Sequence, residues 1–275
     1  MNSSLAYLEK LKAVQEHNSS WLCVGLDPQP DQLPVQAMKW DEPILPFNKA
    51  IIDATADLVC AYKPNLGFYL QWGAAGIIAL ERTIAYIPSH LPVIIDCKTG
   101  DIGHTQAAWA SGLLDYWGVD AITVNPYVGA EAVLPVIGRR PDKAVYLLAR
   151  TSNPSATDFQ GDLAGGKGLS AAVIRQSQGW QTHGHIGYVV GATYPEELAV
   201  ARRLAPQANF LIPGIGAQGG NLEPAVTHGP DAVAGPLISA SRSVIYASAG
   251  VDFADAARQA AGQLRDQINQ VSQRV

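Results

Sequence analysis

Asp96-Cys97-Lys98-Thr99-Gly100-Asp101 crowds two carboxylates and one ammonium onto the end of the apolar run Val93-Ile94-Ile95. That run is β-branched and bounded by Pro92 and Gly100, which predicts a buried strand. Side chains at i and i+2 leave a strand on one face. Asp96 and Lys98 are therefore expected to point into one space, with Asp101 just past the turn. Flanking carboxylates keep a lysine protonated and aimed even where water is partly excluded, which suits it to deliver a proton or hold an anion.

Further polar groups stand at the ends of other predicted strands: Asp27 after 21–26, Lys63 after 58–62, Ser152 after 144–149 and Gln218 after 210–212. A charged residue at a strand end is commonly a solvated rim group or half of an ion pair. These four together with Asp96 and Lys98, six groups at strand ends around an Asp-x-Lys, favour a shared site instead. The stretch Pro213-Gly214-Ile215-Gly216-Ala217-Gln218-Gly219-Gly220 exposes many backbone N–H groups, and its glycines let the chain approach an anion closely. Gly235 to Ser243 brings Arg242 to the start of a presumed helix, where a guanidinium adds bidentate bonds to a phosphate. The competing reading is a pair of turns built from small residues.

The elements that must position these groups alternate strand and helix. Strands are expected at 21–26, 58–62, 93–98, 121–124, 144–149, 186–190, 210–212 and 231–234. Helices are expected after a Ser4 cap, around 47–55, over 100–116 and from near Asp252. This order predicts a (β/α)₈ TIM barrel forming a single domain over 1–275, since no linker or composition break divides the chain. Strand ends of a barrel meet at one mouth, so residues distant in sequence become neighbours there, and phosphate commonly binds after strands seven and eight. The fallback is a doubly wound open sheet, but no Gly-x-Gly-x-x-Gly follows the first strand. Residues 153–168 form a polar, Gly-rich loop long enough to act as a lid.

With 48% hydrophobic and 16% charged residues, the chain can build a sizeable core. A net charge of −5 argues against nucleic acid or an anionic membrane as a general partner, though one pocket can still take a phosphorylated small molecule. No apolar run reaches the roughly 18 residues of a membrane span. Glu9, Lys10 and Lys12 occupy the N-terminal region without an apolar core, so no signal peptide is expected and the protein is read as cytoplasmic. Cys23, Cys60 and Cys97 are odd in number and lie in predicted strands, which reads as buried free thiols. His183-Gly184-His185 has ligand-like spacing but no acidic or Cys cluster beside it, and it is read as a solvated loop. His104 is read as a surface residue. No metal site, Ser-His-Asp arrangement or Gly-x-Ser-x-Gly elbow is expected.

Asp96-x-Lys98-x-x-Asp101-Ile102-x-x-Thr105 resembles the signature of the orotidine 5′-phosphate decarboxylase family. The similarity continues through Leu26-Asp27, Lys63-Pro64-Asn65, Thr151-Ser152-Asn153-Pro154, the 213–220 stretch and Ser241-Arg242-Ser243. The chain length, Lys-Pro-Asn and Thr-Ser-Asn-Pro resemble the longer bacterial branch. That branch commonly has Arg where this chain has Thr99, a departure that bears on a local salt bridge; other branches vary there.

The resemblance implies decarboxylation of orotidine 5′-phosphate to UMP, in pyrimidine biosynthesis, without a cofactor. It implies that Lys98 protonates C6 of the pyrimidine after CO₂ leaves, and that Asp96 crowds the substrate carboxylate while holding Lys98. It also implies a homodimer in which Asp101 enters the neighbouring subunit's site, completing an Asp-Lys-Asp-Lys array with Lys63, and Thr105 contacts ribose across the interface. Asp27 would contact the ribose of its own site, Ser152 the pyrimidine, and Gln218, Arg242 and amides near Pro213 the phosphate.

Three other functions compete. A metal-dependent phosphosugar lyase would be expected to place an acidic metal ligand where this chain has Lys63. A Schiff-base aldolase needs a neutral lysine, whereas Lys98 between aspartates stays charged. A phosphate-binding barrel without activity would be expected to show a broken array, and all four members are present.

Overall fold

The computed structural model describes residues 5–39, 41–161, 168–180, 182–215 and 220–274. Among them eight strands run parallel: β1 Leu22–Val24, β2 Ala61–Tyr62, β3 Ile94–Thr99, β4 Ala121–Val124, β5 Ala144–Arg150, β6 His185–Val190, β7 Phe210–Pro213 and β8 Leu237–Ala240. Their order is β2-β1-β8-β7-β6-β5-β4-β3. The two outer strands meet through the parallel bridges Tyr62↔Val93 and Asn65↔Asp96, supported by Tyr62 N–H to Pro92 O at 3.0 Å and Asp96 N–H to Pro64 O at 3.0 Å. The sheet thus curls into a nearly closed ring with helices on its outside, a TIM barrel as expected, and not the open sheet held as the fallback.

The strand sequences explain this arrangement. Barrel strands are covered on both faces, so they read as continuous apolar runs, and β1, β4 and β8 are buried along their whole length. The helices present one apolar stripe each. In Leu5–His17, Tyr7, Leu8, Leu11 and Val14 are buried, while Ser4 lies outside the described residues. The last helix, Phe253–Ser272, buries Phe253, Ala257, Ala261 and Ile268 at helical spacing.

Two boundaries differ from expectation for stated reasons. The expected eighth strand, 231–234, is a turn. The Asp231 carboxylate accepts from Val233 N–H at 2.6 Å and Ala234 N–H at 2.8 Å, offering those amides an alternative to a ladder. The strand follows at Leu237–Ala240, so Arg242 falls two residues beyond its end. The expected helix over 100–116 begins only at Gly103 and changes to a π-turn at Ser111–Tyr116.

The barrel's N-terminal end is sealed by polar contacts. Tyr7 and Tyr146 share a hydroxyl hydrogen bond at 3.0 Å. Tyr146 donates to Asn209 Oδ1 at 2.8 Å, and Asn209 Nδ2 donates to Asp231 at 3.0 Å. His185 belongs to this layer. It is buried at the start of β6, and its Nε2 accepts the Asn209 backbone N–H at 3.2 Å, so the solvated-loop reading fails for it.

Burial drives the His185 pKa down to about 4, against a small opposing pull from Asp231. In the unfolded chain the same group titrates near 6.5. Between these values the unfolded state binds the proton and the folded state refuses it, so stability is full above pH 6.5 and drains away as pH falls towards 4. Wild-type protein is expected to lose about 2 kcal/mol more than His185→Gln between pH 7 and pH 5 in urea unfolding. Parallel losses would show that His185 is not the acid-sensitive group.

Candidate active site

At the opposite end of the barrel, β2 and β3 deliver three charged groups to one point. Lys63 Nζ lies 3.3 Å from Asp96 Oδ2, and Lys98 Nζ lies 2.5 Å from Asp96 Oδ1. Two further donors complete the carboxylate: Asn65 Nδ2 to Oδ2 at 3.2 Å and the Thr123 hydroxyl to Oδ1 at 2.9 Å. Asp96 is thus bonded on both oxygens by groups from three strand ends.

The electrostatics follow from burial and pairing. Burial alone would raise the Asp96 pKa, but Lys63 and then Lys98 overcome it and hold the carboxyl well below the usual range. Lys63 is the mirror case. Burial would strip its proton, yet Asp96 and Asp27 keep the ammonium charged and push its pKa above the ordinary lysine value. With Asp27 beside Lys63, two carboxylates balance two ammoniums, and the exposed Lys98 ammonium is the cation of the cluster most open to an anionic substrate. Lys63 is buried, whereas Lys98 is 46% exposed and faces the mouth.

Asp96 and Lys98 do share one space, but not through a regular strand. The β3–β4 register shifts between Ile95 and Thr99, and Lys98 sits at φ +48°. A left-handed conformation costs a side-chain-bearing residue roughly 1–2 kcal/mol, which marks a position held by its surroundings. The Lys98 N–H is taken by the Thr123 hydroxyl at 3.0 Å. Cys97, between the two charged residues, has its thiol 3.6 Å from Thr123 O. Burial pushes that thiol up to about 11, so it stays protonated. Cys23, Cys60 and Cys97 are all free; Cys23 and Cys60 are buried and Cys97 is partly so.

Asp27 anchors the neighbouring wall. Its carboxylate accepts from Asn65 N–H at 3.1 Å and the Ser241 hydroxyl at 2.7 Å, and its carbonyl accepts from the Tyr246 hydroxyl at 2.8 Å. Beside it lies a cleft of about 360 Å³ bounded by Asp27, Lys63, Pro213, Gly214 and Ser241–Ser243. Gly214 takes φ +99°, open to glycine and strained for other residues, as the chain leaves β7. Gly220 N–H then closes onto Gly214 O at 3.0 Å. Gln218 lies outside the described residues. Arg242 is exposed on the cleft rim and forms no ion pair among the described residues.

Three expected site residues stand apart from the Lys63–Asp96–Lys98 cluster. Asp101 is exposed, and its carboxylate accepts only the N–H of Ile102 at 2.8 Å among the described contacts. Thr105 is exposed on helix Gly103–Ala110 and lines an apolar groove with Ala108, Trp109, Gly112, Leu113, Tyr116 and Trp117. Ser152 is half-buried beyond β5, its backbone carbonyl 3.4 Å from the Thr193 hydroxyl. The described start of the 153–168 loop folds into a 3₁₀ turn, Pro154–Asp158, and Gln160 binds back to Thr151 N–H at 2.7 Å; residues 162–167 lie outside the described set.

Sequence reasoning gave no role to Asn65, Thr123 or Ser241. Asn65 follows Lys63-Pro64 at a strand end, a signal that was available. Thr123 is an ordinary strand residue by type. Thr99 is buried and accepts from Gln106 Nε2 at 3.2 Å. Among the described residues no group of three His, Cys, Asp or Glu side chains is placed to hold a metal ion.

Comparison with known proteins gives a consistent result. The sequence model of the Orotidine 5′-phosphate decarboxylase / HUMPS family matches residues 20–260. The orotidine 5′-phosphate decarboxylase of Thermomicrobium roseum is 47% identical over 275 residues, covering 98% of each chain. That of Herpetosiphon aurantiacus is 46% identical over 257 residues, covering 93% of this chain and 95% of the relative. Among solved structures, the OMP decarboxylase of Leishmania donovani superposes with a TM-score of 0.83 at 35% identity, covering 97% of this chain and 98% of that one.

Proposed function

The chain belongs to the orotidine 5′-phosphate decarboxylase / HUMPS family, and from that premise we propose that it converts orotidine 5′-phosphate to UMP and CO₂ with Lys98 as the proton donor. Its class is that of a carboxy-lyase, and the reaction belongs to pyrimidine biosynthesis. The observation that carries the reading is the Lys63–Asp96–Lys98 cluster: a fixed, ionised carboxylate gripping an ammonium that faces the barrel mouth.

In this reading the C6–carboxylate bond breaks, its electron pair stays on C6, and a proton moves from Lys98 Nζ to that carbon. Water then restores the proton on Lys98. Ammoniums already in place meet the developing negative charge without reorganising, which is where electrostatic catalysis is strongest. The ionised Asp96 stands beside the departing carboxylate, and Lys98 is held charged by its contact. The chemistry so written uses protein charge alone and calls on no cofactor.

Asp27 binds the ribose and Ser152 the pyrimidine. Gln218, Arg242 and backbone amides near Pro213 bind the phosphate from the loops after β7 and β8. Holding a remote phosphate supplies binding energy that can act at the reacting carbon. Arg242→Ala is expected to lower kcat/KM by about 10- to 100-fold, mainly through KM, as loss of a charge-assisted contact predicts. An unchanged kcat/KM would remove Arg242 from the phosphate site.

The protein acts as a homodimer in this account. Thr105 lines one apolar groove with Trp109 and Tyr116, and the exposed Asp101 and Ile102 immediately precede helix Gly103–Ala110; Ile102, Trp109 and Tyr116 are 49%, 40% and 75% exposed. A second copy covering this face would hide that apolar surface and bring the partner subunit's Asp101 towards Lys98, completing the alternating array.

Lys63 favours this function over a metal-dependent phosphosugar lyase, which would require an acidic ligand at that strand end. The test is purified protein with orotidine 5′-phosphate, followed by ultraviolet absorbance with and without EDTA. Rapid substrate loss in both conditions is the expected result. No turnover by folded protein, or turnover of a ketose phosphate that EDTA abolishes, would overturn the reading.

A further inference from the structure

The cluster depends on a residue from outside β3. We propose that the Thr123 hydroxyl is a positioning residue: it fixes Lys98 and Asp96 on one another by accepting from the Lys98 backbone N–H and donating to the Asp96 carboxylate. This inference rests on the decarboxylase reading and adds a group that the charge array alone does not name.

The ladder between β3 and β4 is interrupted between Ile95 and Thr99 and resumes with Asn125 N–H to Thr99 O at 2.6 Å. Within the gap, Lys98 at φ +48° directs its N–H at Thr123 Oγ1, 3.0 Å away, instead of at a β4 carbonyl. A threonine hydroxyl has one hydrogen and two lone pairs. Since it receives the Lys98 amide, its own hydrogen goes to Asp96 Oδ1 at 2.9 Å. The same carboxylate oxygen receives Lys98 Nζ at 2.5 Å. Three contacts therefore close a ring: Lys98 amide to Thr123, Thr123 to Asp96, Asp96 to the Lys98 ammonium. The proton donor is gripped at both ends of its own residue.

Residue type fits the task. Thr123 is 1% exposed, so it acts through its neighbours and not by touching substrate. Its β-branched side chain is stiff about χ1, which holds the oxygen in place. Valine fills the same volume but can neither accept the amide nor donate to the carboxylate. Serine keeps both functions with a looser rotamer.

The test compares Thr123→Val, Thr123→Ala and Thr123→Ser with wild type in steady-state decarboxylation and UMP binding. Misplacing a reacting group by about 1 Å can cost roughly 100-fold in rate, so kcat of the Val and Ala variants is expected to fall by about 10- to 100-fold. Affinity for UMP is expected to stay within about threefold, because ribose and phosphate contacts are untouched, and Ser is expected to restore kcat to within about threefold of wild type. The role is overturned if Val keeps wild-type kcat, if Ser falls as far as Val, or if UMP affinity drops in step with kcat. Thermal unfolding of each variant identifies any that fail to fold; Ala decides the question if Val is one of them. An inactive wild type would overturn the decarboxylase reading itself, whereas an active wild type beside an equally active Val variant overturns the Thr123 role alone.

Discussion

Lys98→Ala protein is expected to bind UMP about as tightly as wild type and to turn over orotidine 5′-phosphate at least about 10⁴-fold more slowly. The size of the loss combines two effects. General acid catalysis contributes about 10²–10⁴-fold, and removal of a preorganised charge facing the developing carbanion adds about 10²-fold or more. Folding is expected to survive. The Lys98 side chain is 46% exposed, so its loss opens no buried void, and Asp96 keeps Lys63, Asn65 and Thr123 as partners. Alanine tolerates the left-handed backbone no worse than lysine does. A variant with normal UMP affinity and a normal melting temperature but no turnover isolates the chemistry. Turnover within tenfold of wild type would take Lys98 out of the mechanism.

Asp101→Ala is expected to lose about 10²- to 10³-fold in kcat, the scale of one electrostatic contact in a preorganised site. Within a single chain this result would look out of proportion. Asp101 is exposed, pairs with no lysine among the described residues, and binds only the turn that carries it. The rim-residue reading of Asp101 predicts a change below about 1 kcal/mol, or roughly fivefold. A large loss with an unchanged melting temperature is therefore the result expected if the carboxylate stands against a catalytic group that it does not contact in the single chain. A loss of fivefold or less would make it a solvated turn residue.

Much of the fold was legible because barrel strands are covered on both sides. The runs ending at Val124, Ala149, Val190 and Ile212 are mostly apolar, Thr123 being the one polar residue among them, and each of these strands appears within one or two residues of its expected span. Strand eight was misplaced because Asp231-Ala232-Val233-Ala234 has strand-like composition, while the Asp231 carboxylate turns those amides away from any ladder. The helix after β3 was overextended because its alanine content speaks for helix, whereas Gly103 at φ +53° sets its start.

The charged part of the site was readable from i, i+2 spacing, and Asp96 with Lys98 is the clearest example. The contacts that make the spacing work were not. A register shift and a left-handed Lys98 leave no mark in residue type, and a strand threonine such as Thr123 is indistinguishable from its neighbours until the register is known. His185 shows the opposite error. A His-Gly-His pair reads as polar surface, yet the fold places His185 inside, where an amide needs an acceptor.

The most direct test of one Asp–Lys array shared between two chains is a mixture of Lys98→Ala and Asp101→Ala proteins, each expected to keep about 1% of wild-type activity or less alone. Random reassociation makes half the dimers hybrid, each with one site intact, so the account predicts recovery of about a quarter of wild-type activity. A mixture that has exchanged subunits, shown by mass-tagged chains, and remains as inactive as either parent would contradict the shared site.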